Sequence, residues 1–323
     1  MKYDLGIDVG GTKIAYGLFD DRHNIVDRFQ EPTNAGGNAL EVLEPILETC
    51  KKLLSKHKID SKNFRGIGLA FPSFIDFDRG YILKTTNIVG LNNFDVRKYF
   101  GDALQTKVAL DNDANVAALA EHHLGAGRGY KDMLYCAVST GISNGIIINN
   151  RLFRGSYGAA GETGHMIITP NAGVECGCGN KGCFMSYTSG SMILKHISQK
   201  LKEGRKTLML EMANNDPDKI DGKILDMAAQ KGDPLAREML DQMAFYLAIW
   251  LFNLYQCFNI NCFVFGGGLV NIEGLIFEKT RAIFDQFLKN QPDPIYFKKA
   301  ELGNDFGIIG AHLLLDEYLK DLA

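Results

Sequence analysis

Three of the chain's seven cysteines fall in one short stretch, "ECGCGNKGC", as Cys176, Cys178 and Cys183. Thiolates at this C-x-C-x4-C spacing are soft ligands for tetrahedral zinc, which needs a fourth donor. A redox cluster or a chance grouping of thiols would look the same, and spacing alone leaves these readings open. Three glycine turns offer a second chemistry. In "GIDVGGTK" a strand delivers Asp8, Gly10 and Gly11 let the backbone approach a ligand, and Thr12 and Lys13 enter the same space. That suits a polyphosphate with a metal ion, although a plain hairpin turn uses the same residue types. "STGISNG" repeats the hydroxyls and glycines with Thr140 and Gly141, and "FGGG" adds Gly266, Gly267 and Gly268 straight after an apolar run. These turns spell neither GxGxxG nor the GxxxxGK[ST] loop, which disfavours dinucleotide and P-loop binding. Three of them at strand ends favour a nucleotide. A third chemistry sits in "LDNDANVAALAE", where Asp113 stands at the mouth of a helix. It is either a helix cap or a general base for a substrate hydroxyl, kept ionised by the helix dipole.

The elements that must position these residues alternate between strand and helix, so an α/β fold is expected. Residues 3–19 read as two strands around Gly10 and Gly11, with Leu5, Ile7 and Val9 alternating. A helix follows near 40–57, a buried strand ends at Pro72, and "KVAL" at 107–110 is a strand before a helix that stops at Gly125. Strands at 133–138 and 145–148 again wrap a polar glycine turn. This echo suggests two halves of related architecture. Helices are expected near 190–203, 223–230, 234–257 and 309–320, the last packing back on the first domain.

At 323 residues the chain is long enough for two cores. A net charge of −3 offers no basic patch for nucleic acid or anionic lipid, so small molecules are the expected partners. The opening residues lack the apolar core of a signal peptide, and no apolar run reaches membrane-spanning length. A cytoplasmic protein with reduced thiols is expected, with Cys50, Cys136, Cys257 and Cys262 as buried small hydrophobes. The single tryptophan, Trp250, is expected in the core or an interface.

Taken together and in order, "GIDVGGTK", "DNDANVAALAE", "STGISNGIIINNRLFRGSYGAAGETGH", "CGCGNKGC" and "FGGG" resemble the ROK family (repressors, open reading frames and kinases) within the actin-like sugar kinase fold. The resemblance implies two ribonuclease-H-like domains around a central cleft, binding ATP and a hexose and moving the γ-phosphoryl to a sugar hydroxyl. It implies a smaller domain of residues 1–115 with about 305–323, carrying the first phosphate motif and the catalytic Asp, and a larger domain of 116–304. Asp113 then resembles the catalytic base at the 6-hydroxyl, with Asn112 beside it. Asn87 in "TTNIVG" and Glu162 and His165 in "GETGH" look like sugar contacts. Asp8, Gly10, Gly11, Thr12 and Lys13 match the first phosphate motif, Thr140 and Gly141 the second, and Gly266, Gly267 and Gly268 the adenosine-side turn. Mg2+ would accompany ATP. His165 would complete a structural Zn2+ site with Cys176, Cys178 and Cys183, one ring nitrogen on the metal and the other toward the sugar. A homodimer is the family expectation.

Two positions depart from the family. Met185 stands where many members have a glutamate for the anomeric hydroxyl, and Ser73 in "FPSFID" where glycine is common. Loss of a charged acceptor weakens recognition by about 1.5–3 kcal/mol if nothing compensates. The two departures bear on which sugar is bound: glucose is the first expectation, with an N-acylhexosamine, fructose or a β-glucoside as alternatives. A non-catalytic sugar-binding regulator is the alternative of another class. The DNA-binding repressors of the family carry a helix-turn-helix domain before the first phosphate motif, whereas seven residues precede Asp8 here.

Overall fold

Alternation in the first strand decides what lies on each face of the first sheet. Side chains alternate across a strand, so Leu5, Ile7 and Val9 enter a core with Val42, Leu43 and Ile46, while Asp4, Gly6 and Asp8 face the opposite layer. The computed structural model describes residues 1–85, 88, 90–170, 173–268, 275–289 and 294–322. In chain order its strands are β1 (Tyr3–Val9), β2 (Lys13–Asp20), β3 (Ile25–Pro32), β4 (Phe64–Phe71), β5 (Ser73–Asp76), β6 (Tyr81–Thr85), β7 (Phe94–Asp95), β8 (Lys107–Asn112), β9 (Met133–Val138), β10 (Ile142–Ile148), β11 (Arg151–Leu152), β12 (Cys262–Gly266) and β13 (Tyr296–Lys299). The helices are α1 (Ala39–Lys56), α2 (Val96–Leu104), α3 (Asp113–Leu124), α4 (Met185–Thr188), α5 (Gly190–Lys202), α6 (Leu208–Met212), α7 (Gly222–Gln230), α8 (Pro234–Phe258), α9 (Leu275–Leu288) and α10 (Phe306–Asp321).

The chain divides into two compact units, one of residues 1–131, 145–161 and 300–323 and one of 132–144 and 162–299. The boundary expected at 115/116 would cut α3 after its first turn. That helix instead stays with the first unit, because its buried Glu121 accepts hydrogen bonds from the backbone of Ala126, Glu301 and Leu302 at 2.8–3.1 Å.

In the first unit the sheet runs β3-β2-β1-β4-β8, antiparallel across β1 and β2 and parallel across β1, β4 and β8. α10 packs on β1, β4 and β8 and on α3. It can come that close only because glycines line the contact. A Cβ on Gly68 would lie 1.8 Å from the Ala311 carbonyl oxygen, and one on Gly6 would lie 2.1 Å from that of Ile308. Both neighbours are helix backbone and cannot yield as a side chain can. Gly68→Ala is therefore expected to cost at least about 3 kcal/mol, the upper end for overpacked cores, read as a lower urea midpoint.

The second sheet has the order β11-β10-β9-β12-β13, with β12 parallel to both β9 and β13. β10 begins at Ile142, three residues before the expected start. Asn144 fits inside the strand because its buried amide donates to the Tyr135 carbonyl at 3.1 Å. α8 is capped by Asp233, has Pro at its start, and buries Trp250 completely against Phe184, their rings stacked 5.0 Å apart. That places Trp250 in the core of the second unit. Cys50, Cys136 and Cys262 are buried as expected, but Cys257 is exposed, since it lies on the outer face of α8 near its end. Among the described residues no helix is long and apolar enough to cross a membrane.

Candidate active site

Ligands in open α/β sheets bind beyond the carboxyl ends of parallel strands, and each unit gathers its motifs there. In the first unit, β1, β4 and β8 are parallel neighbours. Their carboxyl ends lead to the glycine turn at 10–13, to Ser73, and to Asn112 and Asp113. In the second unit the parallel neighbours β9 and β12 lead to Ser139, Thr140 and Gly141 and to Gly266, Gly267 and Gly268.

Asn112, not Asp113, caps α3. Its side-chain oxygen accepts from the Ala114 backbone at 2.8 Å, and its amide donates to the Ser73 carbonyl at 3.2 Å. Asp113 is the first helical residue and shares the same Ala114 N–H at 2.9 Å. The strand end behind it is fixed by a residue that sequence reasoning missed. Buried Asp111 accepts from the Asn112 backbone at 2.7 Å, the Asn115 side chain at 2.8 Å and Arg154 Nε at 2.6 Å. Arg154 in turn lies over the Phe77 ring, 3.8 Å from its centre. A buried carboxylate two residues before Asp113 was visible in "LDNDAN", but its partner forty-three residues later was not.

The turn after β1 is a hairpin: Gly10 N–H donates to the Lys13 carbonyl at 3.0 Å, and Thr33 pins the Gly10 carbonyl at 2.7 Å. The hairpin reading and a phosphate role are therefore compatible. Asp8 packs against α10, since a Cβ on Gly307 would lie 2.3 Å from its carboxylate. Burial, partly offset by Lys13, raises its pKa from 3.8 to about 6. A carboxyl whose pKa rises on folding binds more protons folded than unfolded, so stability falls as pH rises from about 4 to about 6 and stays lower above. Asp8→Asn is expected to raise the melting temperature of the ligand-free protein at neutral pH, by no more than about 3 kcal/mol of stability. The gain should shrink as pH drops through about 6 and vanish near the ordinary carboxylate value. Thermal melts across that range measure it.

In the second unit the two glycine turns touch. Gly267 has φ +98°, and a Cβ there would lie 2.5 Å from the Val138 carbonyl oxygen, so only glycine fits. Ser139, Thr140 and Gly268 line a cavity of about 790 Å3, together with Gly190 and Ser191 at the start of α5 and Asp221 and Lys223 at the start of α7. The α7 wall is another feature that sequence reasoning missed, because nothing local ties "DGK" to a turn eighty residues earlier.

Thr163, between Glu162 and His165, accepts from Trp250 Nε1 at 3.0 Å and bonds Asn144, fixing the "GETGH" turn to β10. Burial raises the pKa of Glu162 and lowers that of His165. His165 Nδ1 lies 3.6 Å from Cys176 Sγ, while Nε2 is 4.0 Å from Glu162 Oε2. The thiol loop is a tight turn in which Cys176 N–H donates to the Asn180 carbonyl at 2.8 Å. It brings Cys178 Sγ within 3.7 Å of Cys183 Sγ, and the four ligand atoms lie within 4.8 Å of one another. Tetrahedral zinc with bonds of about 2.3 Å to sulfur and about 2.0 Å to nitrogen would set S···S near 3.8 Å and S···N near 3.6 Å. The spacing fits. Burial and the adjoining thiols push Cys183 up to about 12, while the Asn180 backbone N–H holds Cys178 below its ordinary value. So crowded a group stays ionised together only around a cation. The cluster is thus compatible with a structural zinc ion. Met185 opens α4 half-buried, its methyl 3.9 Å from where a Cβ on Gly141 would lie. Asn87 lies outside the described residues.

Comparisons with known proteins identify the family. A glucokinase from Halalkalibacterium halodurans is 32% identical over 317 residues, covering 98% of this chain and 96% of that protein. A ROK hexokinase structure from Thermus thermophilus matches with TM-score 0.84 and 32% identity, covering 99% of each chain. A ROK family glucokinase from Streptomyces griseus, solved in complex with glucose and AMPPNP, matches with TM-score 0.79 and 29% identity, covering 98% of this chain and 99% of that one. The profile of the ROK family matches residues 4–318, so the chain, with the α/β architecture of the actin- and hexokinase-like kinases, belongs to the ROK family.

Proposed function

We propose that the chain is an ATP-dependent hexose kinase acting on the 6-hydroxyl of glucose. The observation that carries the reading is Asp113 at the carboxyl end of β8, with the cap taken by Asn112, so that its carboxylate is not required to start the helix. In this reading Asp113 accepts the proton of the hydroxyl as its oxygen attacks the γ-phosphorus, and ADP leaves. Asp8, Gly10, Gly11, Thr12 and Lys13 serve the phosphates. Thr140, Gly141 and the turn at 266–268 serve the nucleotide, with the 790 Å3 cavity as the nucleoside pocket. Mg2+, bound with ATP, neutralises charge on the transferring group. Glu162, His165 Nε2, Asn112 and Asn87 contact sugar hydroxyls.

His165, Cys176, Cys178 and Cys183 would hold Zn2+ as a closed structural site, fixing the ring so that Nε2 is left for the sugar. The reading includes a homodimer and a cytoplasmic setting, where ATP and reduced thiols coexist. Half-buried Met185 favours one variation, a hexose substituted near C1 or C2. A panel of glucose, fructose, mannose, N-acetylmannosamine and a β-glucoside, assayed for ADP release, tests both. Glucose is expected to give the highest kcat/KM. A substituted hexose ahead of it would move the substrate assignment, and no ADP from any sugar would remove the kinase reading.

A further inference from the structure

The first unit contains a second group of metal-ligand side chains that the kinase reading does not use. His312 and Asp316 stand four residues apart on α10, on one face of the helix, and His23 reaches them from the turn between β2 and β3. His23 Nδ1 lies 2.7 Å from His312 Nε2 and 3.6 Å from Asp316 Oδ2. We propose that His23, His312 and Asp316 form a binding site for a late first-row divalent ion such as zinc or nickel, tying α10 to the β2–β3 turn.

The groups behind these three are arranged as a ligand shell requires. Asp4, fully buried, takes His312 Nδ1 at 2.5 Å, and Phe19 stacks on the same ring at 4.3 Å. The ring is thereby fixed with Nε2 toward His23, as carboxylates fix metal-ligating histidines. Arg65 binds Asp316 Oδ1 at 2.6 Å and also holds Asp4, which leaves Asp316 Oδ2 for the site. His23 has φ +64° in a turn held by Asp20, which accepts from the backbone of Arg22 and Asn24 at 2.9 Å. Its side chain is 46% exposed, so an ion can enter from solvent and the ring can shift. Some shift is needed: two nitrogens on one tetrahedral ion stand about 3.3 Å apart. Two imidazoles and one carboxylate select zinc, nickel or cobalt over magnesium or calcium.

The test uses the full chain with its zinc content measured before and after titration with nickel alone. One saturable nickel site per chain is expected without loss of zinc. His23→Asn, which keeps a residue type tolerant of positive φ, and Asp316→Asn should each weaken it at least about tenfold. Nickel should raise the melting temperature of the wild type and not of His23→Asn, whose sugar-kinase turnover stays that of the wild type. No saturable nickel binding, or equal affinity in His23→Asn, would overturn the proposal. Binding is read without turnover, so this outcome is independent of the kinase assignment.

Discussion

Asp113→Asn is expected to lower kcat by about 10²–10⁴, the contribution of a positioned general base, while glucose binding stays within about twofold. The separation follows from what Asp113 does and does not hold together. Asn112 supplies the cap of α3, and an asparagine at 113 keeps a side-chain oxygen for the Ala114 N–H. The strand end behind it is held by Asp111, which accepts from Asn115 and Arg154. Fold and melting temperature should therefore be unchanged. The loss corresponds to about 2.7–5.5 kcal/mol of transition-state stabilisation and should appear in kcat and kcat/KM alike, because the proton moves only as the bond to phosphorus forms. A matching fall in melting temperature would instead make Asp113 a structural residue.

Cys178→Ala should produce a large loss of stability that reports on the ligand alone. Cys176 and Cys183 are buried, so replacing either removes packing as well as a ligand, whereas Cys178 is exposed and its replacement removes the ligand alone. Structural zinc carries folding free energy directly, about 10–16 kcal/mol in the smallest zinc domains. Losing one of four ligands should drop zinc from one per chain to well below that and destabilise the second unit by at least about 4 kcal/mol. Because His165 belongs to the same four-residue cluster and Glu162 stands 4.0 Å from its ring, KM for the sugar should rise while KM for ATP changes little. Cys257→Ala, an exposed thiol outside the loop, serves as the control and should change neither. Elemental analysis and thermal melts measure both. Full zinc content in Cys178→Ala would show that this thiol is not a ligand.

What could be read from the sequence was local. The alternation of Leu5, Ile7 and Val9 and the helical spacing of Val116, Leu119 and Ala120 placed β1 and α3 correctly, because a buried face imposes its period on the chain. The thiol cluster was legible for the same reason, all but one of its members lying within eight positions. What stayed hidden was set by distant partners. Asp4, Gly6 and Asp8 look like interruptions in a strand until α10 arrives some three hundred residues later to use the space and the charge. Arg154 and Asp111, Trp250 and Thr163, and the α7 wall of the cavity share that dependence. β10 began early because Asn144, polar in sequence, is satisfied by Tyr135 and Thr163. Cys257 was misplaced because position on a helix face, rather than residue type, decides burial.

Phosphorus NMR of a reaction containing the protein, ATP, Mg2+ and glucose, run beside Asp113→Asn at saturating glucose, tests the central claim most directly. The wild type should form glucose 6-phosphate and ADP in equal amounts, and the variant, with glucose binding intact by calorimetry, should form at least about a hundredfold less. Equal product from both proteins, or ADP without a sugar phosphate, would contradict it.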